Sequence, residues 1–207
     1  MERKIIDISY PLDDNIAVWE GDKKYSTEWT MKMANRDPVN VGAVIMSLHT
    51  GTHADAVYHT QESGQKIDEA DVSIYIGLAE VIDCSGEKII KADNVDKANE
   101  KTKRLLFKTN SADIKVFNNV FTYFTDQGAK EIVSRGAVLI GIDTPSVDRA
   151  DSKTLPVHKI FARGNVAILE NLNLQNVEAG TYELIALPLK LVGMDASPVR
   201  AVLRELG

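Results

Sequence analysis

Short apolar runs separated by turn residues dominate the chain. Most carry the two-residue alternation or the continuous apolar character of β-strands. Residues 4–9, Lys-Ile-Ile-Asp-Ile-Ser, read as a first strand, ended by Pro11 and the polar run Asp13-Asp14-Asn15. Residues 26–34 and 41–48 alternate in the same way, and the second of these leads directly into His49. Further strands are expected over 78–84 and 104–109. Residues 137–142, Ala-Val-Leu-Ile-Gly-Ile, are nearly continuously apolar, which predicts a strand covered on both faces. A strand over 165–170 closes on Glu170, and the last two run over 181–192 and 198–205.

Two stretches have helical character. Residues 90–99 are rich in alanine and lysine and poor in β-branched residues. Thr125 is placed to cap a helix through Arg135, with Gly136 as its stop and Ala129, Ile132 and Val133 on one face. Many strands with two or three helices, and no repeat or linker, predict one α+β (mixed α/β) domain over residues 1–207.

Composition narrows this picture. A chain of 207 residues supports one substantial core, and two full domains would be cramped. The net charge of −6 argues against general binding to nucleic acid or anionic membranes. It leaves a small anionic substrate open, because local charge decides that. The N-terminus lacks the apolar core of a signal peptide, and no run approaches the roughly 18–20 apolar residues of a membrane span. The single cysteine, Cys84, cannot form an internal disulfide, and a cytoplasmic enzyme is the simplest reading. With no histidine beside it in sequence, Cys84 is expected to be a buried structural thiol.

The candidate chemistry is concentrated in one stretch. Three of the four histidines fall between His49 and His59, in His-Thr-Gly-Thr-His-Ala-Asp-Ala-Val-Tyr-His. The spacing of His49 and His53 fits one face of a helix, but Gly51 and the β-branched run before His49 favour extended chain. There, His49, His53, Asp55 and His59 would all point one way. Gly51 would let the backbone bend so that His49 and His53 converge on one ion. Two imidazoles and a carboxylate hold a divalent cation and leave positions open for water, whose pKa the cation lowers toward neutrality. Asp55 has two oxygens and can bridge two ions. His59, with an ordinary pKa near ~6.5, suits a general acid or base. The remaining histidine, His158, and Glu170 at the end of its apolar run are candidates to complete a two-metal site.

The stretch His49-Thr-Gly-Thr-His53-Ala-Asp55-Ala-Val57-Tyr-His59 resembles the signature of the cyclase-type metal hydrolases, His-x-Gly-Thr-His-x-Asp-x-Pro-x-His. The resemblance continues in Trp19-Glu-Gly-Asp22, in Gly141-Ile-Asp-Thr-Pro-Ser-Val-Asp148, and in His158 and Glu170-Asn171-Leu172. The ending, Tyr182-Glu-Leu-Ile-Ala-Leu-Pro-Leu and Ser197-Pro-Val-Arg-Ala-Val, is most similar to the bacterial kynurenine formamidase branch. The resemblance implies a swivelling β/β/α fold and a homodimer or homotetramer. It implies two zinc ions per subunit, with manganese in some relatives. It assigns His49, His53 and Asp55 to the first ion, with Asp55 bridging, and His158 and Glu170 to the second. His59 becomes the catalytic acid/base, and Trp19 stacks on substrate. The implied reaction is hydrolysis of N-formyl-L-kynurenine to L-kynurenine and formate by hydroxide held on the metal. The alternatives are hydrolysis of another cyclic or aryl amide, ester or lactone, as in isatin hydrolases, and metal binding without turnover. Two positions depart from the family pattern: Val57 replaces its proline, and Thr60 replaces the aromatic residue that often follows the last histidine.

Overall fold

The computed structural model describes residues 3–99, 101–116 and 118–207. In chain order the first strands are β1 (Ile5–Asp7), β2 (Ser26–Met31), β3 (Val41–Ile45), β4 (His53–Asp55) and β5 (Ile76–Asp83). Then come β6 (Ile89–Ile90), β7 (Arg104–Lys108), β8 (Tyr123–Phe124), β9 (Leu139–Ile142) and β10 (Ala167–Glu170). The last are β11 (Gly180–Ile185), β12 (Ala196–Pro198) and β13 (Val202–Glu205). The α-helices are α1 (Ala92–Val95), α2 (Asp126–Ser134) and α3 (Pro156–Arg163).

Nine strands form one mixed sheet in the order β1-β13-β11-β5-β7-β9-β10-β4-β12. The strands from β5 to β10 in that order run parallel, and both flanks are antiparallel. Alternation along the parallel strands divides the core in two. Leu105, Phe107, Ile140, Ile142 and Ile168 pack on the α2 and α3 side, whereas Leu106, Leu139 and Leu169 face the other way. Both faces are therefore covered, as the continuous apolar run of β9 predicts. Phe124 meets Phe107 and Phe161 edge-on, at ring separations of 4.9 and 5.7 Å, and so joins the helical layer to the sheet. Full burial of each such ring is worth about 1.5–3 kcal/mol.

The C-terminal strands differ from the expected pattern, and the difference shapes the molecule. The run 181–192 leaves the sheet after Ile185, where Pro188 soon follows and cannot donate to a ladder. The run 198–205 is not one strand. β12 pairs with β4 at one end of the sheet, while β13 pairs with β1 and β11 near the other. Only residues 199–201 separate them, a reach of about 10 Å at full extension. The sheet must therefore curl until its two ends approach, and Val199 N–H to Thr52 O and Ile8 N–H to Ala201 O stitch that closure.

Three smaller expectations are also adjusted. The helix expected over 90–99 is one turn, with Lys91 N–H bound to Asn94 Oδ1, and Ile89–Ile90 before it pairs with β8. The 26–34 strand stops at Met31 beyond an irregularity in its pairing with β3. That hairpin stands clear of the core, with Trp29, Met31, Val44 and Ile45 all exposed. Cys84 is buried, as expected, and burial pushes its thiol up to about 11. Among the described residues, no helix is long and apolar enough to cross a membrane.

Candidate metal centre

The stretch from His49 to His59 is extended only over β4. His53 and Asp55 therefore share a face by strand alternation, but His49 and His59 do not arrive that way. His49 sits in a turn, and Gly51 at φ +67° bends the chain between it and β4. A side chain on Gly51 would collide with Leu12, so the position is closed to larger residues on both counts. After β4, a 3₁₀ turn over Val57–His59 swings His59 back toward the others. The bend at Gly51 is the one the sequence suggests. The expected common direction of all four side chains along one extended run does not hold, because only His53–Asp55 is strand.

Register brings in the distant residues. Glu170 lies directly opposite His53 in the antiparallel pairing of β10 with β4, and their side chains approach to 3.5 Å. Ala196 lies opposite Asp55, which places Asp195 beside the cluster, and Ala56 N–H donates to Asp195 O at 2.9 Å. His158 is carried by α3, which the sequence reading leaves unassigned although Pro156 stands at its first turn. Asp148 holds the start of that helix: its carboxylate accepts from Val157 N–H at 3.1 Å and His158 N–H at 3.0 Å.

Each of three imidazoles is anchored through one nitrogen and turns the other inward. His53 Nδ1 is 2.8 Å from Gly51 O, and its Nε2 is 3.3 Å from Asp55 Oδ1. His158 Nδ1 is 2.7 Å from Asp148 Oδ2, and its Nε2 lies 3.4 Å from both Asp55 Oδ2 and Glu170 Oε1. His49 Nε2 is 2.9 Å from Asp195 Oδ2, with Nδ1 3.0 Å from Asp55 Oδ1. Glu170 is fixed in turn by Val147 N–H at 2.9 Å. Outer anchors of this kind set the tautomer and direction of metal-binding histidines. His59 differs: its nearest carboxylate contact is Asp195 at 3.6 Å, too long for a hydrogen bond, and its ring stacks at a tilt 4.2 Å from His49.

The donor set fits a cation. Four buried side-chain atoms lack a hydrogen-bond partner among the described residues, and three of them meet here: His53 Nε2 and both oxygens of Asp55. Such atoms are costly to leave unpaired. Donor atoms of His53, Asp55 and Glu170 lie within 4.8 Å of one another, as do those of His49, Asp55 and His59. Asp55 belongs to both groups. His158, from the far side, closes on the Asp55–Glu170 pair.

Electrostatics point the same way. Burial works against the His49 imidazolium, but Asp55 and Asp195 outweigh it and lift the pKa to about 10. His53 rises to about 9 against burial, through Asp55 and Glu170. His158 is lifted well above its ordinary value against burial, through Asp148, Asp55 and Glu170. Asp55 is held well below the usual carboxylate range despite burial, by the surrounding histidines. In the protein alone, protons on the imidazoles balance the buried carboxylates. A divalent ion can take over that balance and displace them. Burial instead lowers the pKa of His59.

A cavity of about 400 Å³ lies elsewhere, beside Tyr10 and Asp143, but Asp143 already accepts from Thr109 and Asn110. The cavity that opens on the cluster measures about 310 Å³ and is lined by His49, His59, His158, Glu170 and Trp19. That volume lies at the small end of ligand sites, about 300–1,000 Å³. Trp19 is half-buried there, edge-on to Phe121 at 6.4 Å. Val57 and Thr60 line a different, 90 Å³ hollow behind Asp55.

The Cyclase family model, described as "Putative cyclase", matches residues 6–149. The chain belongs to the cyclase family. Among its relatives, the kynurenine formamidase of Bacillus cytotoxicus is 41% identical over 203 residues, covering 97% of each chain. A solved family structure, described as a potential metal-dependent hydrolase with cyclase activity, superposes with a TM-score of 0.86 at 26% identity. That match covers all of both chains. An isatin hydrolase bound to thioisatinate shares the fold, with a TM-score of 0.85 at 20% identity over 100% of this chain and 94% of the other. The cyclase-family match reaches from β1 into the loop after β9, so the 49–59 stretch falls inside it and His158 and Glu170 beyond it. Two residues at the centre receive no role in the sequence reading: Asp148, which ends the quoted Gly141–Asp148 block, and Asp195. Each stands in a loop of no obvious periodicity, and only the folded chain shows that it anchors a histidine.

Proposed function

We propose that this chain is a metal-dependent amide hydrolase that converts N-formyl-L-kynurenine to L-kynurenine and formate. The observation that carries the reading is the inward turn of His49, His53 and His158 around Asp55 and Glu170, with their outer nitrogens fixed on Asp195, Gly51 O and Asp148. The 41% identity to a kynurenine formamidase over nearly the whole chain supports the substrate.

In this reading His49, His53 and Asp55 hold one ion, and Asp55, His158 and Glu170 hold a second. The ions are zinc, two per subunit, with manganese able to replace them. When bound, they lower the pKa of a coordinated water and polarise the formyl carbonyl. His59 is the proton carrier. Its lowered pKa leaves it neutral near pH 7, ready to accept the proton released by water and to pass it to the departing aniline nitrogen. Trp19, on the wall of the same cavity, stacks against the aryl ring. Residues 1–207 act as one domain of a cytoplasmic homodimer or homotetramer. The exposed apolar residues of the β2–β3 hairpin supply surface for that association.

The test is turnover of N-formyl-L-kynurenine before and after chelation, beside isatin and a panel of aryl esters and lactones. Metal-dependent turnover with formylkynurenine preferred is expected. Full activity after chelation would defeat the mechanism, and preference for isatin or a lactone would reassign the substrate. Saturated metal with no turnover of any of them would leave a metal-binding protein.

A further inference from the structure

The loop that joins β9 to α3 forms one wall of the 310 Å³ cavity and brings two cations to it, Arg149 and Lys153. They are not equivalent. The Arg149 guanidinium is engaged at both ends by Asp151, at 3.0 and 2.7 Å, so its charge is already matched. Lys153 forms neither an ion pair nor a hydrogen bond among the described residues. Asp22, which also lines the cavity, accepts from Ser47 Oγ at 2.8 Å through one of its oxygens. The base carries the Glu170 carboxylate, which the His158 imidazole faces. Within a chain of net charge −6, the cavity therefore has an uncommitted ammonium at its rim and its ligand cluster at its base.

This arrangement can distinguish substrates by whether they carry a carboxylate. An aryl formamide with its formyl group at the base and its ring on Trp19 would leave an ortho substituent free to reach the loop that carries Lys153. A carboxylate on that substituent would meet Lys153. A neutral ring, or a cyclic amide such as isatin, has nothing for it. We propose that Lys153 is a specificity residue, whose ammonium receives the α-carboxylate of an N-formylanilide that bears an amino-acid side chain, and so favours carboxylate-bearing substrates over aryl formamides that lack that group. This rests on the hydrolase reading above. Because Lys153 is exposed, its contribution falls at the lower end for a charge-assisted hydrogen bond, about tenfold in affinity.

The experiment compares wild type, Lys153→Met and Lys153→Arg on N-formyl-L-kynurenine and on 2-formamidoacetophenone, which keeps the ring, ketone and formamide but lacks the amino-acid end. With formylkynurenine, Lys153→Met is expected to raise KM about tenfold with kcat within twofold, and Lys153→Arg to restore most of the loss. With 2-formamidoacetophenone all three proteins should have the same constants. Rising salt should weaken the preference for the carboxylate-bearing substrate in wild type and Lys153→Arg, and leave Lys153→Met unaffected. An unchanged KM for formylkynurenine in Lys153→Met, or an equal loss on both substrates, would overturn the assignment. Wild type inactive on both formamides would overturn the hydrolase reading itself, which separates the two failures.

Discussion

The two halves of the metal centre are built by different means. One half is contiguous: His49, His53, Asp55 and His59 come from eleven consecutive residues, and backbone geometry aims them. Gly51 supplies the bend, β4 puts His53 and Asp55 on one face, and a 3₁₀ turn returns His59. The other half is dispersed. His158 and Glu170 sit on different elements, and side chains or loop amides aim them: Asp148 for His158 and Val147 N–H for Glu170. The contiguous half is easy to write into a sequence, because spacing alone carries it. The dispersed half exists only when β10 pairs with β4 and α3 packs beside them, so its ligands report on the whole fold.

Asp55 is where the halves meet, and it gives the largest expected effect. Its oxygens face His49 and His53 on one side and His158 on the other. Asp55→Asn keeps the volume and removes the charge. Metal analysis of the purified protein should show loss of both ions and turnover at background. Retention of one ion at full occupancy would show that the halves do not share this residue. His59→Ala tests the member of the contiguous half that has no anchor. Both ions should stay bound while kcat falls by about 10²–10⁴-fold, the range for loss of a general acid or base. Ions lost together with activity would move His59 among the ligands, where its closeness to His49 and Asp55 also permits it.

Next in size is the anchor of the dispersed half. Asp148→Asn has one acceptor oxygen instead of two: turned toward His158 it keeps that N–H and gives up the bond from Val157 N–H, and the imidazole of His158 loses its charged partner. Chelator competition should show one ion weakened by about 10–100-fold and the other unchanged. If both weaken equally, the two halves are coupled more tightly than their construction suggests.

What the sequence discloses follows the same division. The sheet strands, the α2 cap at Thr125 and the 49–59 cluster are legible because each depends on local alternation, capping or spacing. His158 and Glu170 are found as residues but not placed, since their meeting with His53 is set by strand register. Asp148 falls in a block quoted for the family resemblance but without a role, and Asp195 carries no local signal, because a hydrogen bond across the fold is what makes each of them matter. The division of residues 196–205 into two strands is hidden for a related reason. An apolar run shows that a segment is covered, and it does not show which end of a curled sheet covers it.

Val57 is the finest probe of how firmly the contiguous half is held. The family pattern has proline there, and proline would fix φ near −65°. Three features say the structure already provides for that ring. Ala56 before it is extended, at φ −92° and ψ 158°, the conformation a following proline requires. Val57 opens the 3₁₀ turn, where its own N–H has no place in the turn's hydrogen bonds, while its carbonyl accepts from Thr60 and Gln61. The turn is also packed from outside: a side chain on Gly64 would strike the backbone of Val57 and Tyr58. Native contacts therefore hold the conformation without proline, and what remains to be gained lies in the unfolded chain. Val57→Pro should stabilise by about 0.4–1 kcal/mol, a rise of about 1–4 °C in Tm, with metal content and KM unchanged. A fall in Tm would mean that the backbone at Val57 is incompatible with proline. A rise in Tm accompanied by a changed KM would mean that the 90 Å³ hollow behind Asp55 communicates with the substrate cavity, and that the contiguous half is less rigid than its hydrogen bonds imply.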